Sequence, residues 1–376
     1  MNRRHADVAV VGGGIVGLAH ALAAARAGHS VVLFERDARA VGASIRNFGL
    51  IWPIGQTGEY YEVALRSRET WLEILQQTGM WHADTGSLHL ARHADEVAVF
   101  EEFLDTTPAA REQGCRLLGQ GDVARRSPAS RTDGLLAALW SPSELNVDPR
   151  VAIPGVAEYL ENKHGVDVRF GTAVHEVALP EVRTTGGTWH AERVIVCSGN
   201  DFHTLYPDVL AASGIRKCKL QMMRTVTQPA DWQLGPALCA GLTLLHYASF
   251  AQCSTLGAVR ERADATLADQ RRWGVHVLVS QTATGQLSLG DSHEYAATHD
   301  PFLHEEIDTA VLDYLDEFAA VPNREIAERW YGEYPSLPDG RELLRHEPEP
   351  GVTVVNGLGG AGMTLSFGIA EQTLAS

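Results

Sequence analysis

Three kinds of hydrophobic pattern alternate along the chain. Short apolar runs occur at Asp7-Val8-Ala9-Val10-Val11, Val31-Val32-Leu33-Phe34, Arg193-Val194-Ile195-Val196-Cys197 and Val352-Thr353-Val354-Val355-Asn356. Each is bounded by glycine or small polar residues, the signature of a strand buried on both faces of a parallel sheet. Longer stretches with helical spacing cover residues 15–27, 60–79, 151–164 and 365–374, and the first ends at Gly28, a natural helix stop. A third class alternates at period two, as in Gly86-Ser87-Leu88-His89-Leu90-Ala91, Val275-His276-Val277-Leu278-Val279 and Gly285-Gln286-Leu287-Ser288-Leu289-Gly290. Those segments predict antiparallel strands with one covered face. The pattern therefore predicts an α/β protein, α+β overall: a parallel-sheet domain plus a second domain with a largely antiparallel sheet.

Composition narrows the function. The 376 residues, 45% hydrophobic and 21% charged, suffice for two or three domains with real cores. The formal charge of −16 argues against nucleic acid as a partner, because a phosphate backbone needs a basic surface. Five scattered cysteines without a CxxC pair suit neither a disulfide framework nor a zinc site, so no metal is expected and a reducing compartment is. The apolar stretch 8–25 follows two arginines and superficially resembles a signal peptide. Gly12, Gly13, Gly14 and Gly17 interrupt it, and an apolar strand resumes at Val31, so a strand–turn–helix–strand unit is the better reading. Cytoplasmic location without a membrane partner is the expectation.

That unit carries the first chemistry. Gly12-Gly13-Gly14-Ile15-Val16-Gly17 completes G-x-G-x-x-G between a strand and a helix, and the next strand ends at Glu35. In a Rossmann-type unit Gly12 permits the tight turn, Gly14 admits a pyrophosphate, Gly17 lets helix and strand pack closely, and the acid takes ribose hydroxyls. An acid there disfavours a 2′-phosphate, leaving FAD and NAD. At the other end of the chain, the strand 352–356 enters Gly357-Leu358-Gly359-Gly360-Ala361-Gly362-Met363-Thr364 and a second helix. Backbone amides and a helix dipole at that turn suit the electron-rich end of an isoalloxazine ring. Two such turns imply one long cofactor bridging both, which fits FAD.

These segments together resemble the D-amino-acid oxidase, glycine oxidase and sarcosine oxidase (DAO) family of FAD-dependent oxidoreductases. The resemblance rests on the N-terminal fingerprint, the 42–49 loop, the Val196-Cys197-Ser198-Gly199 strand end and the 357–364 turn, and also on Trp330-Tyr331-Gly332 with Pro335-Ser336-Leu337-Pro338-Asp339-Gly340. Residues 46–53, Gly241-Leu242-Thr243 with His246-Tyr247, and Gly290-Asp291-Ser292-His293-Glu294-Tyr295 are similar to a narrower branch, encoded beside genes for bacterial aminophosphonate breakdown.

The resemblance implies a discontinuous FAD-binding domain of residues 1–85, 145–217 and 325–376, with 86–144 and 218–324 forming the substrate domain. It places Gly12, Gly14, Ile15, Val16, Gly17, Glu35, Arg36, Ser44, Arg46, Asn47, Val174, Ser198, Gly199, Gly359, Gly360, Gly362, Met363 and Thr364 against FAD. It also implies hydride transfer from a carbon bearing nitrogen, with oxygen or another electron acceptor closing the cycle. The family's carboxylate-gripping arginine is replaced by Tyr334, its oxygen-activating lysine by Ser288, and no cysteine near Gly332 offers a covalent flavin link, so FAD is expected to be non-covalent. A small anionic amine would then rely on Arg46, with Arg224, His246, His276 and His293 as further candidates on substrate-domain strands and Tyr334 in the catalytic set. Glu294 and Asp291 read as strand-end caps. A carboxylate secondary amine or amino acid is the alternative substrate. A non-catalytic flavin protein and an NAD-dependent dehydrogenase are the other readings.

Overall fold

The computed structural model, which describes residues 4–338 and 340–375, holds two large sheets and a small three-stranded one. Asp339 of the P-x-x-P-D-G stretch lies outside the described residues. The first sheet runs Asp167–Arg169, Val31–Phe34, His5–Val11, Gly187–Val196 and Val352–Asn356, all parallel. Leu344–Glu349 closes one edge antiparallel, and the hairpin Val174–Ala178/Glu181–Thr184 joins the first half of Gly187–Val196.

The apolar runs form these strands because both faces are covered. Val8, Val10, Leu33, Ile195 and Val355 point into one core with the helices Ile15–Arg26, Glu59–Thr78, Pro149–His164 and Gly362–Ala375. Ala9, Val32, Val194, Val196 and Val354 point into the other. The C-terminal helix meets Glu59–Thr78 closely: a Cβ on Gly368 would stand 2.6 Å from the Val63 carbonyl oxygen, and the Gly368 amide donates to Ser67 Oγ at 2.8 Å. Trp71 Nε1 donates to the Met363 carbonyl at 2.9 Å, so this helix pair fixes where the 359–364 turn emerges. No helix among the described residues is long and apolar enough to cross a membrane. All five cysteines are buried and free.

The second sheet has nine strands, antiparallel except where Ala237–Ala240 pairs with Ser87–Ala91. One expectation is corrected here. Residues 325–336, grouped with the cofactor segments, form the strand Ile326–Ser336, which pairs with Arg216–Thr225 of the second sheet from end to end. Cross-strand packing, not proximity in sequence, decides which sheet a strand joins. The strand expected over 275–279 is also displaced, to Leu278–Gln281. Alternation puts Cys218, Leu220, Met222 and Arg224 on one face with Tyr334, Gly332, Trp330 and Glu328, because these residues pair directly. Much of that face packs against Phe48, Leu50, Trp52 and Ile54, and so it looks toward the first sheet.

Candidate active site

The nucleotide end is built from backbone approaches that only glycine allows. Gly12 has φ +109°, and a Cβ there would stand 2.2 Å from the Cys197 carbonyl oxygen. A Cβ on Gly17 would stand 1.9 Å from the Gly12 carbonyl oxygen. Strand, turn and helix thus touch through main chain alone, and the N-terminus of Ile15–Arg26 points out of the sheet at Gly14. Glu35 Oε2 accepts from the Gly13 amide at 2.8 Å and Oε1 from Asp37 at 3.0 Å, fixing the carboxylate beside the turn. Ser44 Oγ accepts from the Ile15 amide at 2.9 Å, satisfying one of the helix's free N-terminal donors. Val16 follows in the first helical turn, half-buried against the same core. Ser44→Ala is expected to cost about 1 kcal/mol, as loss of a helix cap does, read as a lower urea midpoint together with weaker FAD retention.

Other expected cofactor residues sit around this turn. Val174 is buried at the start of its strand, and the neighbouring Thr172 amide donates to the Glu35 carbonyl at 2.8 Å. Gly199, at φ +57°, lies in the turn after the strand Gly187–Val196, and Asn356 Nδ2 donates to its carbonyl at 2.9 Å and weakly to Ser198 Oγ. Arg36 pairs with Asp201 at 2.5 Å. Asn47 spends its amide on its own loop, donating to the Ala43 and Ser44 carbonyls and accepting from Gly49. The two glycine turns, the fixed carboxylate and the capped helix start together fit a dinucleotide running between them.

At the far end, Gly359–Ala361 forms a short turn into the helix Gly362–Ala375, and Thr364 Oγ1 accepts from the Trp52 amide at 2.9 Å. Ser336 pairs with Leu358, holding the end of the strand Ile326–Ser336 against this turn. A Cβ on Gly360 would lie 3.7 Å from the Tyr334 hydroxyl, so Tyr334 faces the turn. Arg46 lies along the same strand. Its carbonyl accepts from Trp330 Nε1 at 3.2 Å, and its Nη1 donates to the Tyr331 carbonyl at 3.3 Å.

Beyond Tyr334 stand three histidines. His246 follows the 3-10 turn Gly241–Leu245, and His276 precedes Leu278–Gln281, so neither lies on a strand as expected. A hairpin extended past its strand ends aligns the other two: His276 and Asp291 exchange both backbone hydrogen bonds, and the His293 amide donates to Trp273. The ring centroids are 3.9 Å apart for His246 and His276, 4.4 Å for His246 and His293, and 5.1 Å for His276 and His293. His293 stands 6.5 Å from the rings of both Tyr334 and Tyr295. Tyr247 lies 5.8 Å from His276 and stacks on Trp52 at 6.1 Å. Burial pushes the His276 imidazole well below its ordinary range and His293 down to about 4, whereas His246 is exposed at the edge of the cluster. Burial also pushes the Tyr334 and Asp291 acids up.

Asp291 is not a strand-end cap. It is buried, and its Oδ1 stands 3.3 Å from His276 Nε2. Sequence reading missed this pairing, for which the only signal was a polar Gly290-Asp291-Ser292-His293 run following an alternating strand. Arg224 is the ninth residue of Arg216–Thr225, not its start, and lies buried above Trp330 at 5.9 Å. It is six residues from Cys218, the partner of Tyr334, which is about 20 Å along a strand. The structure therefore brings Tyr334, His246, His276 and His293 together and leaves Arg224 apart.

The family described as DAO, FAD dependent oxidoreductase, matches residues 7–375. A tRNA 5-methylaminomethyl-2-thiouridine biosynthesis bifunctional protein of Chromohalobacter salexigens is 28% identical over 246 residues, 62% of this chain and 34% of that protein. Glycine oxidase of Geobacillus kaustophilus is 26% identical over 217 residues, 51% of this chain and 54% of that one. The matches thus span about a third and about half of these curated relatives. The crystal structure of L-proline dehydrogenase from P. horikoshii shares the fold, with a TM-score of 0.79 at 20% identity, covering 98% of this chain and 92% of that one. The cofactor is FAD, and the chain belongs to the DAO family of FAD-dependent oxidoreductases.

Proposed function

We propose that this protein oxidises the C–N bond of a small amine carrying an anionic group, 2-aminoethylphosphonate or its N-methyl derivative, giving phosphonoacetaldehyde after imine hydrolysis. FAD, held non-covalently, supplies the hydride acceptor. The observation that carries the reading is a cluster of three histidines whose His293 stands beside Tyr334, the hydroxyl of which faces Gly360 of the second glycine turn. A substrate placed there meets polar groups that burial keeps uncharged, so an incoming ammonium is favoured to lose its proton. That matters because the nitrogen lone pair must be free to stabilise the developing iminium. In this reading Tyr334, His246 and His276 orient the substrate and exclude water, and Arg46, beside the same strand, draws the anion toward the cleft. Oxygen or another acceptor reoxidises the cofactor. The buried free cysteines support work in the cytoplasm.

A carboxylate secondary amine or amino acid is the second reading, favoured by the similarity to a glycine oxidase. Steady-state oxidation of N-methyl-2-aminoethylphosphonate, 2-aminoethylphosphonate, sarcosine and iminodiacetate separates the two. We expect kcat/KM for an aminophosphonate to exceed that for either carboxylate at least tenfold. The reverse order would replace the first reading with the second.

A further inference from the structure

We propose that His246, His276 and His293 form an oxyanion subsite that takes the substrate's phosphonate group and becomes cationic by gaining a proton as the anion enters. This inference rests on the function proposed above and names the part of the site that would read the anion.

The first support is the fixed orientation of two rings. His293 Nδ1 lies 3.0 Å from the Gly274 carbonyl oxygen, which can only accept, so Nδ1 carries the hydrogen and Nε2 is left for a ligand. His276 Nε2 faces Asp291, while its buried Nδ1 has no partner. Polar atoms so placed are normally satisfied, and an unpartnered one 97% out of solvent points to a missing ligand. One nitrogen from each of the three rings lies within 4.8 Å of the other two.

Ring orientation favours an oxyanion over a metal ion here. Tetrahedral zinc with bonds near 2.0–2.1 Å brings its nitrogens to about 3.3 Å from one another, along lone pairs that converge on one point. Here His246 and His276 are stacked at 3.9 Å with only 25° between planes. Lone pairs lie in the ring planes, and nearly parallel planes do not meet near either ring. Three separate phosphonate oxygens need no such convergence, because each takes its own N–H donor at about 2.7–2.9 Å.

The proton requirement follows from the same tautomers. A neutral His293 with hydrogen on Nδ1 presents a lone pair, not a donor, to the cleft, and a phosphonate oxygen would be repelled. Binding therefore needs a proton on Nε2, and the dianion's charge makes that uptake favourable. The titratable groups facing the trio are Asp291, Tyr247, Tyr295 and Tyr334, with Cys218 behind Tyr334. Of these, Asp291 with His276 can share the incoming proton. With an aminophosphonate the donor can be the substrate itself: an ammonium N–H bond breaks, an imidazole N–H bond forms, and the complex's net charge is unchanged. The same transfer leaves the amine neutral for oxidation.

The test uses ethylphosphonate, which lacks nitrogen and cannot be oxidised, titrated calorimetrically into the FAD-loaded enzyme. Repeating the titration in buffers of different ionisation enthalpy, at a pH where the ligand is dianionic, counts protons. We expect uptake of about one proton per ligand, and less with 2-aminoethylphosphonate. His293→Gln and His276→Asn place neutral amides near the two ring nitrogens. Each should weaken ethylphosphonate binding about ten- to hundredfold, the scale of a hydrogen bond to a charged group. Each should also reduce proton uptake and raise KM more than it lowers kcat, with FAD content reporting that the variant folds. Binding without proton uptake, wild-type affinity in both variants, or stoichiometric zinc whose removal abolishes ethylphosphonate binding would each overturn the subsite. Aminophosphonate oxidation with unchanged KM in both variants would overturn it while leaving the proposed function standing. Coupled ethylphosphonate binding without oxidation of any aminophosphonate would support the subsite and overturn the function.

Discussion

Replacing Gly12 with alanine is expected to yield protein that retains no FAD. The methyl group would stand 2.2 Å from the Cys197 carbonyl oxygen and 3.1 Å from its carbon, and both are backbone atoms that cannot rotate away. The residue must also hold φ at +109°, which costs an L-residue about 1–3 kcal/mol before any clash is counted. Relief requires the ends of His5–Val11 and Gly187–Val196 to part, and the pair is in register to Val11 and Val196. That movement displaces the start of the helix Ile15–Arg26, because a Cβ on Gly17 already has only 1.9 Å to the Gly12 carbonyl oxygen. The phosphate-facing amides would then be misplaced, and stabilisation by bound cofactor would be lost as well. The ratio of visible to ultraviolet absorbance after purification, and the thermal midpoint with and without added FAD, measure both effects. A yellow variant with an unchanged midpoint would show that this turn does not hold the cofactor.

Mild acid is expected to destabilise the protein steeply through two buried histidines, one in the substrate domain and one on the helix behind the first glycine turn. His89 is fully buried among Trp52, Phe100 and Phe250, with neither ring nitrogen hydrogen-bonded, and burial holds its pKa at about 3. His20 is equally buried; its pKa is lowered to about 4 by burial, against a hydrogen bond to the Val16 carbonyl. Both folded values lie below the ordinary 6.5, so the unfolded chain binds protons that the folded one refuses. Stability is therefore whole above pH 6.5 and drains as pH falls, until the folded protein itself titrates near pH 3–4. The slope is about 1.4 kcal/mol per pH unit for each histidine, so the two together remove about 4 kcal/mol by about pH 5. His89→Leu should remove about 2 kcal/mol of the acid-induced loss, to which the depressed His276 and His293 also contribute. Urea unfolding of both proteins at pH 7.5 and pH 5 tests it, and equal acid sensitivity in the two would show that His89 is not the group being charged.

The nucleotide end was legible because its determinants are local. A strand, three glycines at fixed spacing, a helix and an acid lie within residues 7–35, and each has one physical reason for its place. Strand ends at Ser198-Gly199 and Asn356-Gly357 were equally legible, since buried runs ending in small residues announce themselves. The substrate end was legible only as a set of candidate residues. His246, His276 and His293 are ordinary histidines in sequence, and their meeting depends on a 3-10 turn and on a hairpin that continues past its ladder. Asp291 acquires its partner from that same continuation. The strand Ile326–Ser336 was grouped with the cofactor segments, and its mostly half-buried or exposed residues give too weak an apolar pattern to assign it from sequence. Register, which no single-strand pattern encodes, settled its place.

The net charge of −16 also gains meaning at the site. An acidic surface repels an anionic substrate weakly at long range, and salt screens most of that. Recognition of an anion would therefore be local, as the proposed histidine subsite would make it without a standing positive charge in the free protein.

The central claim is that this protein removes a hydride from the carbon beside nitrogen in an aminophosphonate. Anaerobic addition of N-methyl-2-aminoethylphosphonate to the purified yellow enzyme tests it most directly. The visible flavin band is expected to bleach completely at one equivalent or a small excess, with phosphonoacetaldehyde formed in equal amount. A band that stays oxidised with this compound and with 2-aminoethylphosphonate, yet bleaches with sarcosine or iminodiacetate, would contradict it.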